Sequence, residues 1–126
     1  MKTLLGIGGS EDSLRALERT LERAAEAGDE LVVAVVENPD SERDAEEVAE
    51  HAKKKVLEHG GDADAEVMRL EHEGHPGSAL VEYAEEEGYD EIALGGGERS
   101  AMGKIRLGHT AEFVLLNSRV SVRLVR

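Results

Sequence analysis

Ile92-Ala93-Leu94-Gly95-Gly96-Gly97-Glu98-Arg99-Ser100 is the stretch on which the fold turns. A short apolar strand runs directly into three glycines. Glycine lets the backbone bend sharply off a strand end and leaves its N–H groups uncovered by side chains. Downstream, Gly108-His109-Thr110 opens an apolar helical pattern. A helix starting there aims its unpaired N–H groups at the same place. Strand end, glycine turn and helix N-terminus together make an anion or phosphate cradle. Glu98 works against it, because it puts a carboxylate where a phosphate would sit.

Outward from this loop, the chain alternates strand and helix signals. Thr3 to Gly8 is a short apolar segment. Leu14, Leu17, Leu21 and Ala24 follow at helical spacing with charges between them. Ser10 before Glu11 and Asp12 reads as an N-cap followed by first-turn acids, and Gly28 as the helix stop. The β-branched run Leu31 to Val36 marks a strand buried on both faces. Asn38-Pro39-Asp40-Ser41 breaks it.

A second helix is expected from about Ser41 to Glu58, ended by Gly60-Gly61. Ala65 to Leu70 alternates as a strand nearer a sheet edge. Gly74 to Gly77 reads as a turn, and Leu80, Tyr83 and Ala84 mark a third helix ending at Gly88. Tyr89 to Leu94 is the fourth strand. Phe113, Val114 and Leu116 belong to the fourth helix, and Val120 to Val125 is the last strand.

This order predicts an α/β fold over residues 1–126: a doubly wound sheet of five parallel strands, with helices on both faces. Ligands then collect beyond the carboxyl ends of the strands, at the topological switch point. If strands one and four are neighbours there, Gly8-Gly9-Ser10 and Gly95-Gly96-Gly97 meet in one crevice.

Composition sets further bounds. A chain of 126 residues can bury a real core, built here from Val, Leu, Ile and Ala, since aromatic content is 2%. The absence of cysteine excludes disulfides and thiolate metal sites. No apolar run reaches transmembrane length and Met1-Lys2-Thr3-Leu4-Leu5 runs straight into a strand, so a cytoplasmic protein is expected. The formal net charge of −13 argues against nucleic acid and anionic membranes as partners. It fits a surface adapted to high salt, where a Debye length of roughly 3 Å near 1 M screens the repulsion.

Other chemistry-bearing residues have plainer readings. His72 and His75, with Glu71 and Glu73, lack an identifiable fourth metal ligand and read as a solvated acidic loop, so no metal site is assigned. Ser10 and Ser13 have no sequence-evident base, and no carboxylate pair or Ser/His/Asp arrangement is identifiable. The sequence therefore makes no positive case for an enzyme. His109, at a helix N-terminus, either hydrogen-bonds a phosphate or simply decorates the helix end.

Across nearly its whole length the chain resembles the universal stress protein family. Leu4-Leu5-Gly6-Ile7-Gly8-Gly9-Ser10-Glu11-Asp12-Ser13 resembles that family's first strand and turn. Glu73-Gly74-His75-Pro76-Gly77 resembles the entry to its third helix, and Gly95 through Glu112 its signature loop. The resemblance implies strand order 3-2-1-4-5 and a homodimer made through the last strand, Val120 to Val125. It also implies ATP or a related adenine nucleotide in the crevice, with Mg only if the nucleotide binds. Gly95 and Gly108 match the first and third motif glycines, and Arg99 and Ser100 match common neighbours. Val36 falls where a backbone contact to adenine is usual.

Three positions depart from the pattern. Glu98 replaces the second motif glycine, and His109 stands where a hydroxyl residue is usual, with Thr110 next. Gly8 replaces the aspartate that ends the first strand. A carboxylate near a phosphate costs roughly 1 to 4 kcal/mol, and a lost charge-assisted bond about 1.5–3 kcal/mol. The implied function is a stress-response binding or signalling module. The alternatives are a nucleotide-free dimerisation protein of the same fold and a slow ATP hydrolase.

Overall fold

The computed structural model describes residues 1–37, 43–59, 64–96, 98–99, 105–106 and 108–126, with 98–99 and 105–106 described by their backbone alone. The elements in chain order are β1 (Lys2–Ile7), α1 (Glu11–Ala27), β2 (Glu30–Val36), α2 (Ala45–Glu58), β3 (Asp64–Leu70) and α3 (Pro76–Glu86). They continue with β4 (Glu91–Gly95), β5 (Glu98–Arg99), β6 (Ile105–Arg106), α4 (His109–Asn117) and β7 (Ser121–Val125).

The main sheet has the order β3-β2-β1-β4-β7, with every neighbouring pair parallel. Counting only its own strands, this is the 3-2-1-4-5 order. β1 sits between β2 and β4, so the chain reverses direction across the sheet at β1 and β4 and makes a switch point there. Beyond β4, β5 and β6 form a small antiparallel pair with Glu98 opposite Arg106, an element the hydrophobic periodicity did not signal.

The apolar run of β2 is buried on both faces. Leu31, Val33 and Val35 pack with Leu5, Ile7, Leu17 and Leu21 of β1 and α1, and with Val48 and Ala52 of α2. Ala34 and Val36 face the other way, into a cluster with Leu80, Val81, Ala111 and Val114 of α3 and α4. Fully burying one such aliphatic side chain stabilises the fold by about 1.5–3 kcal/mol.

One polar cluster joins three strands. Glu91 of β4 is only 8% exposed. Its Oε1 accepts from Thr3 Oγ1 at 3.1 Å and pairs with Arg123 Nη2 at 2.9 Å.

Helix ends follow local chemistry. Ser10 caps α1 by accepting from the Ser13 N–H at 3.1 Å, and Gly28 ends it at φ 71°. α2 starts at Ala45, later than the expected Ser41. Asp44 is its cap, accepting from the Glu47 N–H at 2.8 Å. Residues 60 and 61, the expected stop, lie outside the described residues, and α2 ends at Glu58 with His59 as its cap.

The turn expected over Gly74 to Gly77 is shorter than anticipated. Pro76 begins α3, where its missing N–H costs nothing. The His75 ring caps this helix, Nδ1 accepting from the Gly77 N–H at 3.0 Å. The fourth strand likewise starts at Glu91 rather than Tyr89, and ends at Gly95. No helix among the described residues is long and apolar enough to cross a membrane.

Candidate functional site

The crevice forms at the carboxyl ends of β1, β2 and β4, where the chain switches direction. Gly6, Ile7 and Gly8 of β1 and its turn, Val36 of β2, and Leu94 and Gly95 of β4 line it. Ser10, Asp12 and Ser13 close one side, and Gly108, His109, Thr110 and Ala111 the other. Its volume is about 390 Å³, within the size range of small-molecule sites. Gly8 of the first turn and Gly95, at the strand end before the second, therefore line the same crevice.

The expected residues take different roles there. Gly9 turns the chain with φ 89°, a conformation glycine adopts without strain. Its carbonyl accepts from Arg43 Nη1 at 3.0 Å, which ties the first turn to the approach of α2. The Gly8 N–H donates to Ser13 Oγ at 3.3 Å, so it is not bare. Ser10 Oγ and Ser13 Oγ lie 3.0 Å apart and are both engaged at the start of α1.

The loop after β4 needs a larger correction. Gly95 is the last residue of the strand and pairs with Val125. The Gly96 N–H donates to the Val125 carbonyl at 3.1 Å. Two of the three glycine amides read as bare are thus in or beside the β4–β7 ladder. Gly95 is glycine for a packing reason. A Cβ there would meet the backbone of α1, lying 2.7 Å from the Asp12 carbonyl carbon and 2.8 Å from Ser13 N. Gly97 and Ser100 lie outside the described residues, as do the side chains of Glu98 and Arg99.

The open amides lie instead at the start of α4. Gly108 is its N-cap, with φ −68° and ψ 163°, and no side chain caps this end. A Cβ at Gly108 would meet nothing within 4 Å among the described residues. The Gly108 carbonyl already accepts from the Glu112 N–H at 3.0 Å. The N–H groups of the first turn, beginning at His109 and Thr110, have no side-chain cap among the described residues, and they carry the positive end of the helix dipole. His109 is exposed and Thr110 half-buried at this rim.

Asp12 lines the crevice without having been expected there. Its Oδ1 is buried, has no hydrogen bond among the described residues, and lies 3.3 Å from Arg15 Nη1. It had registered only as a first-turn acid. Its place in the wall follows once α1 is known to start at the switch point. Among the described lining residues there is one carboxylate and no lysine or arginine.

His72 and His75 do not converge on a common point as ligands. The His72 ring bridges two carbonyls, with Nδ1 2.9 Å from Gly74 O and Nε2 3.1 Å from Glu37 O, and so fastens β2's end to the loop before α3. His75 is used in its cap and stacks on Phe113 at 4.5 Å. His51 and His59 lie on α2 and at its cap, away from the crevice.

Residues 1–126 match the universal stress protein family throughout. The chain belongs to this family. Solved structures of family members superpose on it. One from Archaeoglobus fulgidus gives a TM-score of 0.79 at 24% identity, covering 100% of this chain and 98% of the other. A universal stress protein in complex with cAMP gives 0.74 at 25% identity, with 100% and 96% covered. An Archaeoglobus fulgidus member in complex with dAMP gives 0.73 at 20%, with 100% and 98% covered. No curated protein sequence matches the chain.

Proposed function

We propose that this universal stress protein is a binding module of the stress response that takes an adenine nucleotide in the crevice between β1 and β4. The observation carrying the reading is the uncapped start of α4, open at Gly108 and facing the first turn across the crevice. The base would lie toward Val36, and the phosphate against the N–H groups at His109 and Thr110. The relatives crystallised with cAMP and dAMP support an adenylate as the ligand class.

The charge of the wall favours a ligand with few phosphate charges. Asp12 is the one charged residue among the described lining residues, where main-chain dipoles at the start of α4 supply the attraction. A nucleoside monophosphate therefore suits this crevice better than ATP, which would need Mg to offset its added charge. Gly8 offers the sugar no side chain, so hydroxyl recognition falls to the neighbouring serines and main chain.

Calorimetric titration of AMP, of ATP with and without Mg, and of inorganic phosphate tests this in concentrated KCl. AMP should release heat. Silence from every nucleotide would leave the reading without its ligand. Phosphate release from ATP above a protein-free blank, lost on changing Gly108, would move the reading to slow hydrolysis.

β7 supports a homodimer. It is an edge strand with Val122 and Leu124 only partly buried, and the adjoining α4 exposes Leu115 and Leu116. Pairing with the same strand of a second copy would satisfy its outer backbone groups. Sedimentation at micromolar concentration should give twice the monomer mass, and a purely monomeric profile would remove this part.

A further inference from the structure

The sheet face carrying α3 and α4 is not covered evenly. These helices lean toward β4 and β7, leaving the part over β2 and β3 open. β2 itself records the difference. On this face Ala34 and Val36 are buried in the cluster with α3 and α4, whereas Val32, nearer the start of the strand, stays partly exposed, as does Met68 of β3. The result is a groove of about 390 Å³, floored by Val32 and Met68 and walled by Tyr83 and Tyr89. It lies toward the starts of the strands, at the end of the sheet away from the nucleotide crevice.

The groove has an apolar interior and an acidic rim. The tyrosine rings lie 5.7 Å apart. Lys2 is the one base among its lining residues, and that cation is already placed: Nζ lies 4.4 Å above the Tyr89 ring and donates to the Glu87 carbonyl at 3.2 Å. Glu30, Asp64 and Glu66 stand exposed around the opening, with no ion-pair partner among the described residues. Beside them runs β3, an edge strand paired on one side with β2 and unpaired on the other among the described residues.

We propose that this groove docks a basic, extended segment of a partner protein. Such a segment lays the aliphatic part of a lysine or arginine on Met68, Val32 and Tyr83, and sets its cation among Glu30, Asp64 and Glu66. Its backbone can add to the free side of β3, where main-chain hydrogen bonds supply affinity and the groove supplies selectivity. An acidic segment would meet three unpaired carboxylates and be rejected.

A fluorescently labelled peptide of alternating valine and lysine is the probe, read by anisotropy and by backbone amide shifts of the full chain. Binding should shift the amides of Val32, Glu66 and Met68 most. Glu30→Lys with Glu66→Lys should weaken it about tenfold at moderate salt. A charge-matched control, Glu22→Lys with Glu26→Lys on the exposed face of α1, should change it less than about twofold. All four positions are exposed, so the variants should fold. Equal weakening by both pairs, shifts spread over the whole acidic surface, or no binding would each overturn the proposal.

Discussion

Replacing Gly108 with Asp should make the protein more stable and its nucleotide affinity worse. The position is the N-cap of α4, its φ of −68° and ψ of 163° suit any residue, and a Cβ there meets nothing within 4 Å among the described residues. An aspartate can therefore accept a hydrogen bond from the first turn of α4, as Asp44 does for α2. Glycine is already a fair N-cap, so an aspartate there adds only about 0.3 kcal/mol as a cap, and its negative charge at the positive end of the dipole adds about 0.3–1 kcal/mol. Unfolding of the ligand-free protein should therefore need about 0.6–1.3 kcal/mol more, raising Tm by roughly 2–6 °C. The same carboxylate occupies the amides assigned to the phosphate. Losing a charge-assisted bond costs about 1.5–3 kcal/mol, so AMP should bind roughly ten- to a hundredfold more weakly. Thermal unfolding without ligand and calorimetry with AMP read the two effects independently. A stabilised variant with unchanged AMP affinity would refute the placement of the phosphate at α4. An unstabilised variant would refute the uncapped helix end.

Gly95→Ala should destabilise by about 1–3 kcal/mol in urea titrations, because its Cβ meets backbone of α1 that cannot rotate aside. Glu91→Leu should cost about 2 kcal/mol by leaving Thr3 and Arg123 without their shared partner; a loss below 0.5 kcal/mol would show that the cluster adds little. Burial, helped by Tyr83, pushes the Tyr89 phenol well above its ordinary value of 10.0. A group whose folded pKa is raised stabilises fully below its unfolded pKa, so stability should hold to about pH 10 and fall above it as the unfolded chain ionises. Tyrosinate absorbance should show one of the two tyrosines titrating only as the fold is lost. With a formal net charge of −13, the unfolding midpoint should rise as KCl is raised to multimolar concentration.

Periodicity and punctuation carried most of the architecture. The β-branched run of β2, the Ser10 cap and the Gly28 stop are local signals, and each reappears in the structure at the same residues. What failed was local chemistry with two readings. Pro76 and Gly77 suit a turn as well as a helix start, and the structure begins α3 at Pro76 with the ring of His75 as its cap. Asp44 caps α2, so the helix starts at Ala45 and not near Ser41. At the crevice, convergence followed from the strand order, and that order came from the resemblance, since periodicity does not encode which strands are neighbours. The role of Gly95 was illegible because it depends on how near α1 comes to β4. The part Asp12 plays in the wall depends on the same approach.

The hydrogen bond from Gly96 to Val125 has a mechanical meaning. It welds the lip of the ligand cleft to the outermost strand at the same place where that strand stops. A small molecule that repositions the lip must strain the border of the sheet, and a neighbour gripping that border must stiffen the lip. Reciprocity then requires each event to alter the free energy of the other by the same amount. If the crevice takes the proposed ligand, this one main-chain contact is the route by which occupancy inside would be felt at the outer margin.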